Sequence, residues 1–199
     1  MGAAVVDLDE KLKIAESLPY DISSTNDNQN AGRGTCPIHT ALPIIKKLLA
    51  PIGKFKVMEV GSGNGFNTRE IAKLPEIESI DASDIQKHEP SYYDVAVFPA
   101  DEFIKSNWTD EYNMLLMVSP TNDNVRLDYG SIKALEEKHT KPVYLMILGE
   151  LGASDGTVGI YHYLTEGSDW VKTAEVPYLQ NIDIFGEPVI KAVNLFYLE

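Results

Sequence analysis

The sequence predicts a three-layer α/β domain: a mostly parallel, seven-stranded sheet with its last strand inserted antiparallel and helices on both faces. Three observations lead there. Downstream of residue 51, short apolar runs alternate with helical segments, as in a sheet built from crossover units. The first of these runs ends in alternating glycines that open a helix. The last two runs are joined by residues 177–192, which hold Pro and Gly and no helical pattern, so they pair antiparallel through a long hairpin.

Taken in order, the apolar runs place strands at Lys56–Val60, Glu78–Ala82, Val95–Phe98, Met114–Ser119, Val143–Leu148, Val171–Val176 and Val193–Leu198. Helical spacing falls at Thr68–Leu74, Ser131–His139 and Gly159–Glu166, with a weaker helical turn after Asp101. Upstream, Leu8, Leu12, Ile14 and Leu18 mark a helix over residues 7–18. The polar stretch from Ser23 to Gly34 is a loop, either a linker or a lid over a site. A second helical stretch from Pro37 carries Ala41, Leu42, Ile44, Ile45, Leu48 and Leu49 and stops at Pro51-Ile52-Gly53. This organisation puts a helical cap and loop over residues 1–50 ahead of a core over 51–199, the two forming one compact domain.

Composition narrows the function. The 199 residues include 17 Lys and Arg against 30 Asp and Glu, a formal charge of −13. Phosphate backbones are held by Lys and Arg, so this balance argues against nucleic acid and suits a partner protein with a basic face. With 44% apolar and 24% charged residues, the chain is an ordinary globular one, long enough for a full core without disulfide staples. Cys36 is the single cysteine, and no Cys/His cluster has zinc spacing, so a metal-free cytoplasmic protein is expected. The N-terminal Met1-Gly2-Ala3-Ala4-Val5-Val6 runs straight into Asp7-Leu8-Asp9-Glu10, without the basic start or apolar length of a signal peptide. No apolar run reaches the ~20 residues of a membrane span.

The chemistry concentrates in Val57-Met58-Glu59-Val60-Gly61-Ser62-Gly63-Asn64-Gly65-Phe66, a strand followed by a glycine turn and a helix. Glycine there permits a positive φ and leaves the main chain open to a ligand, although many α/β proteins use such a turn only as a turn. A dinucleotide fingerprint spaces its glycines G-x-G-x-x-G. Here Phe66 stands where the third glycine would be, which makes nicotinamide and flavin cofactors a poor match.

The segment VMEVGSGNG resembles motif I of the S-adenosylmethionine-dependent methyltransferases with the Rossmann-like fold: an apolar strand, an acidic residue and G-x-G-x-G. The resemblance implies S-adenosylmethionine as cofactor, with Glu59, Gly61, Ser62, Gly63 and Gly65 around its methionine part. It also implies an acid at the end of the second strand for the ribose hydroxyls. Asp81 and Asp84 are the candidates, and Asp81 is preferred because Ile80-Asp81-Ala82-Ser83 has the family's usual ending. Either could instead be a solvated strand end or a helix cap. Asp101, after the third strand, matches the group that meets the adenine amine, and it could equally cap the following turn.

The fourth strand ends in Ser119-Pro120-Thr121-Asn122, where the family contacts the methyl-transfer centre; Ser119 is therefore both a cofactor and a catalytic candidate. Some nitrogen-methylating members have an Asp or Asn, two prolines and an aromatic residue there. This chain has one proline and no aromatic. Glu150, at the carboxyl edge after the fifth strand, is the other catalytic candidate. His39 and His162 have no paired carboxylate or nucleophile at catalytic spacing, and His88 and His139 offer less still. The implied activity is methyl transfer to a small molecule or a protein side chain. The alternative is an inactive relative that serves as a binding or regulatory subunit.

Overall fold

The computed structural model describes residues 38–182 and 188–199; the helix expected over 7–18, the loop over 23–34 and Cys36 lie outside them. The described elements run α1 (Leu42–Leu49), β1 (Phe55–Val60), α2 (Phe66–Ile71), β2 (Ile77–Asp84), β3 (Val95–Val97), α3 (Ala100–Asn107), β4 (Met114–Val118), α4 (Tyr129–Lys138), β5 (Val143–Gly149), α5 (Val158–Glu166), β6 (Val171–Ile182) and β7 (Pro188–Leu198). The strands form one sheet in the order β3-β2-β1-β4-β5-β7-β6. The first five are parallel, and β7 lies antiparallel between β5 and β6. This is the sheet that the alternation of runs and the closing hairpin predict. Strand order reverses between β1 and β4, and the crevice beyond the carboxyl ends of those strands is where open α/β sheets bind ligands.

The central strands are continuous apolar runs because both of their faces are covered. Along β1 the side chains alternate: Met58 and Val60 join one buried cluster with Phe103, Ile104, Ile132 and Leu135. Phe55 and Val57 join the other with Ile45, Leu49 and Ile71. Helix α1, with Pro43 in its first turn, thus packs its buried Ile45 and Leu49 into the same core as β1, β4 and β5.

Five elements differ from expectation. Strand β7 begins at Pro188, where its pairing with the lengthened β6 starts, rather than at Val193, and α2 spans Phe66–Ile71 rather than Thr68–Leu74. Helix α3 is a full eight-residue helix rather than a weak turn, since buried Phe103 and Ile104 anchor it although charged residues obscure its periodicity. Strand β2 continues to Asp84. Strand β6 runs through Pro177 to Ile182, longer than the stretch to Val176. As the sheet's edge strand it tolerates a residue without an N–H, and it carries register shifts at Lys172/Ala174 and Leu179/Asn181. Among the described residues, no helix is long and apolar enough to cross a membrane.

Asp128 ties the carboxyl edge together. Fully buried, its side chain caps α4 by accepting from the N–H of Tyr129 and also accepts the N–H of Thr157 at the head of α5. Asp128→Ala strands a buried donor and removes a cap, so urea denaturation should show a loss of about 2–4 kcal/mol.

Candidate functional site

The loop after β1 owes its shape to Gly61, Gly63 and Gly65, whose φ values are +68°, +60° and +75°. The three are not equivalent. A Cβ on Gly65 would stand 2.5 Å from Tyr93 Cβ and 3.0 Å from its backbone nitrogen, and one on Gly61 would stand 2.7 Å from Leu127 Cδ1. At Gly63 a Cβ would meet nothing within 4 Å. Packing therefore excludes a side chain at Gly65 and opposes one at Gly61 only through the end of the Leu127 side chain, whereas Gly63 opens onto free space. The loop is held by Ser62 N–H to Ser83 O (3.1 Å), Gly65 N–H to Ser62 O (3.0 Å) and Tyr92 N–H to Asn64 O (2.8 Å). The Ser62 hydroxyl also donates to Ser83 O at 3.2 Å.

That space is a cleft of about 330 Å³ at the carboxyl ends of β1, β2 and β4. Glu59, Gly61, Ser62, Gly63, Asp84 and Ser119 line it, so six of the residues expected from sequence converge on one cavity. Asp84, at the end of β2, accepts the Gly63 N–H on Oδ2 at 2.9 Å and the Gln86 N–H on Oδ1 at 3.2 Å. His88 Nε2 lies 3.1 Å from Oδ1 and also lines the cleft. The carboxylate is thereby fixed in orientation at the mouth of the glycine loop.

Glu59 faces the same cavity from inside the sheet. It is 0% exposed, and neither carboxylate oxygen has a hydrogen-bond partner. Burial pushes its pKa up to about 7; the nearby Thr68 hydroxyl pulls the other way, and the charge on Asp84 adds to the rise. Ser119 has φ +46°, a left-handed conformation that no other non-glycine among the described residues adopts. Its N–H donates to Leu148 O at 2.7 Å, and its hydroxyl is buried without a partner at the cleft wall.

Four expected site residues do not line the cleft: Gly65, which packs against Tyr93 instead, and three acids. Asp81, the preferred ribose acid, sits in the middle of β2 because the strand continues three residues beyond it, and it does not line the cleft. Its exposed carboxylate accepts the Tyr112 hydroxyl, which burial and this bond push up to about 12. Asp101 stands in the first turn of α3, where Pro99 is the cap residue, and it is bound by Arg126 rather than turned to the cleft. Glu150 lies outside the cleft, its N–H donating to Asp155 Oδ2 at 2.8 Å and its carboxylate accepting the Ser154 hydroxyl at 3.3 Å. Sequence spacing alone could not reveal His88, Phe98, Arg126 or Leu127, which reach the cleft through turns and tertiary packing. The i,i+4 spacing of Asp84 and His88 is the one local signal of that group.

No protein-family model matches the chain, and a search of curated proteins finds no match. Solved structures do resemble it. A SAM-dependent methyltransferase from Methanosarcina mazei superposes with a TM-score of 0.55 at 12% identity, covering 78% of this chain and 96% of that one. The 1,6-didemethyltoxoflavin-N1-methyltransferase of Burkholderia thailandensis, solved with 1,6-didemethyltoxoflavin and S-adenosylhomocysteine, gives 0.56 at 11% identity, covering 99% and 92%. Protein 1320 of Thermoplasma acidophilum gives 0.51 at 14%, covering 96% and 97%. The chain has the fold of the S-adenosylmethionine-dependent methyltransferases.

Proposed function

We propose that the cleft binds S-adenosylmethionine and that the protein transfers its methyl group to a small molecule or a protein side chain. The observation that carries this reading is Gly63: a left-handed position open to the cleft, with its N–H fixed by the Asp84 carboxylate at the end of the neighbouring strand. A nucleoside ligand needs such a carboxylate for its two ribose hydroxyls and a bare backbone to lie against. The lining fits such a ligand. Asp84 is oriented to accept, Ile85, Phe98 and Pro99 supply apolar contact beyond it, and Glu59 supplies a buried acid toward the glycine loop for a cationic amino-acid portion.

The bound cofactor supplies a methyl group already activated by its sulfonium. The chain's part is to orient and to exclude water. Val118 and Ser119 close the cleft floor at the end of β4, and Thr121 and Asn124 line it on the following segment. Among the lining residues no side chain stands out as a dedicated base, and none is required when the acceptor is already nucleophilic. The cleft's carboxylates and the chain's charge of −13 favour a small-molecule or protein acceptor over nucleic acid. The Burkholderia neighbour, with a small heterocycle bound, is consistent with the first of these.

Calorimetry with S-adenosylmethionine and S-adenosylhomocysteine tests the reading. At about 100 times the dissociation constant, ligand should add roughly 2.7 kcal/mol of stability, a melting shift of several degrees. No heat and no shift with either ligand would sink it, and binding without transfer to any small-molecule or protein acceptor would favour the inactive, regulatory alternative. The acids separate in the same assay. Asp84→Asn should weaken binding by about tenfold or more, as loss of a charged hydrogen-bond partner does, and Asp81→Asn should leave it near the wild-type value. The opposite ranking would move the ribose site back along β2.

A further inference from the structure

Arg126 lies on the segment between β4 and α4, and this segment bridges the cleft. At one side Leu127 presses on the bare face of Gly61. At the other, Arg126 Nε and Nη2 donate to Asp101 Oδ1 at 3.0 and 2.8 Å, and Nη2 donates to Glu102 Oε1 at 2.7 Å. Both acids stand in the first turn of α3, directly after Pro99 and Ala100, which line the cleft. The start of α4 packs beside α3: a Cβ on Gly130 would be in ordinary contact with Asp101 Cβ at 3.6 Å and would crowd Val125 O at 3.3 Å. Asn124 closes the turn, accepting the Leu127 N–H on its backbone oxygen at 3.0 Å.

Arg126 lines the cleft together with the apolar Ile85, Phe98, Pro99 and Ala100, whereas Asp101 and Glu102 do not line it. Asp101 is committed to the guanidinium. A guanidinium gripped along its edge by carboxylates keeps its flat face free to stack on an aromatic ring, which an ammonium cannot do. An exposed ion pair of this kind adds little to stability by itself, so its contribution is to orientation.

We infer that Arg126 is the nucleobase-stacking residue of the cleft, held edge-on by Asp101 and Glu102 acting as positioning residues. This rests on the reading of the cleft as the S-adenosylmethionine site. It assigns Asp101 an indirect role, reaching the base through Arg126 rather than by accepting its amine.

The test compares the dissociation constants of S-adenosylhomocysteine and of S-ribosylhomocysteine, its base-free counterpart. Arg126→Ala should weaken the first by about tenfold and leave the second within about twofold. Arg126→Lys should not restore the loss, because it keeps the charge without the plane. Asp101→Asn combined with Glu102→Gln should weaken S-adenosylhomocysteine several-fold in the wild-type background and by less than about twofold in the Arg126→Ala background, as coupled groups do. Lys105→Ala removes a cation 4.0 Å from Asp101 that does not line the cleft, and it should leave affinity unchanged.

Unchanged affinity in Arg126→Ala, equal losses for both ligands, full rescue by lysine or additive losses would each overturn the stacking role. If S-ribosylhomocysteine is too weak to titrate in the wild type, the coupling measurement decides alone. Absence of S-adenosylhomocysteine binding in the wild type would instead overturn the reading of the cleft, and this inference with it.

Discussion

Gly63→Ala should fold nearly as well as the wild type and lose its ligand. The new methyl group meets no protein atom within 4 Å, so the folded state bears only the cost of a positive φ, about 1 kcal/mol and a fall of a few degrees in melting temperature. The methyl instead occupies the space against which a bound nucleoside would lie, and S-adenosylhomocysteine should bind about tenfold to a hundredfold more weakly. Gly65→Ala should show the reverse pattern. Its methyl collides with Tyr93 at both Cβ and backbone, and backbone cannot swing aside, so destabilisation of about 3 kcal/mol or more is expected. Gly61→Ala should fall between them, because the colliding atom is the end of the Leu127 side chain, which can rotate but lines the cleft. Urea denaturation and calorimetry on the three variants read the two quantities separately. Equal losses of stability and binding at all three positions would show that the loop acts only as a turn.

The second large effect concerns Glu59 and pH. Its pKa is about 7 in the folded chain against an ordinary value of 4.5. Between those two values the folded state holds a proton that the unfolded state has released, so stability falls as pH rises through this window. Below about 4.5 the penalty is absent, and above about 7 it is complete, at about 3 kcal/mol for a shift of this size. Glu59→Gln cannot ionise and should lose that component. Denaturation midpoints taken from pH 5 to pH 8 should fall less steeply in the variant than in the wild type. Parallel profiles would mean that the carboxyl is not a buried, unpaired acid in solution. Because the two proteins share every other titrating group, their difference isolates this one.

The sequence by itself determined the layers of this protein and the position of its glycine loop. Apolar runs such as Met114-Leu115-Leu116-Met117 read as strands buried on both faces, and the alternation with helical spacing makes them parallel. The glycines after Val60 carry their meaning locally, because a positive φ is a property of one residue, and all three adopt it. Glu59, Ser62 and Ser119 enter as candidates through the motif and the strand ends it marks, and all three line the cleft.

What only the tertiary structure decided is which acids face the cleft. Asp81 and Asp84 are both candidates in a string of letters, and the string favours Asp81; β2 runs three residues past it, pairing as far as Val60 on one side and Val97 on the other, and so ends at Asp84. Asp101 reads as a ligand group until Arg126, 25 positions away, takes its carboxylate. Gly63 differs from Gly61 and Gly65 only through Leu127 and Tyr93, which come from distant segments to press on two of the three. Strand periodicity and backbone conformation are short-range properties and are written in neighbouring residues, whereas the direction a carboxylate faces depends on what packs beside it.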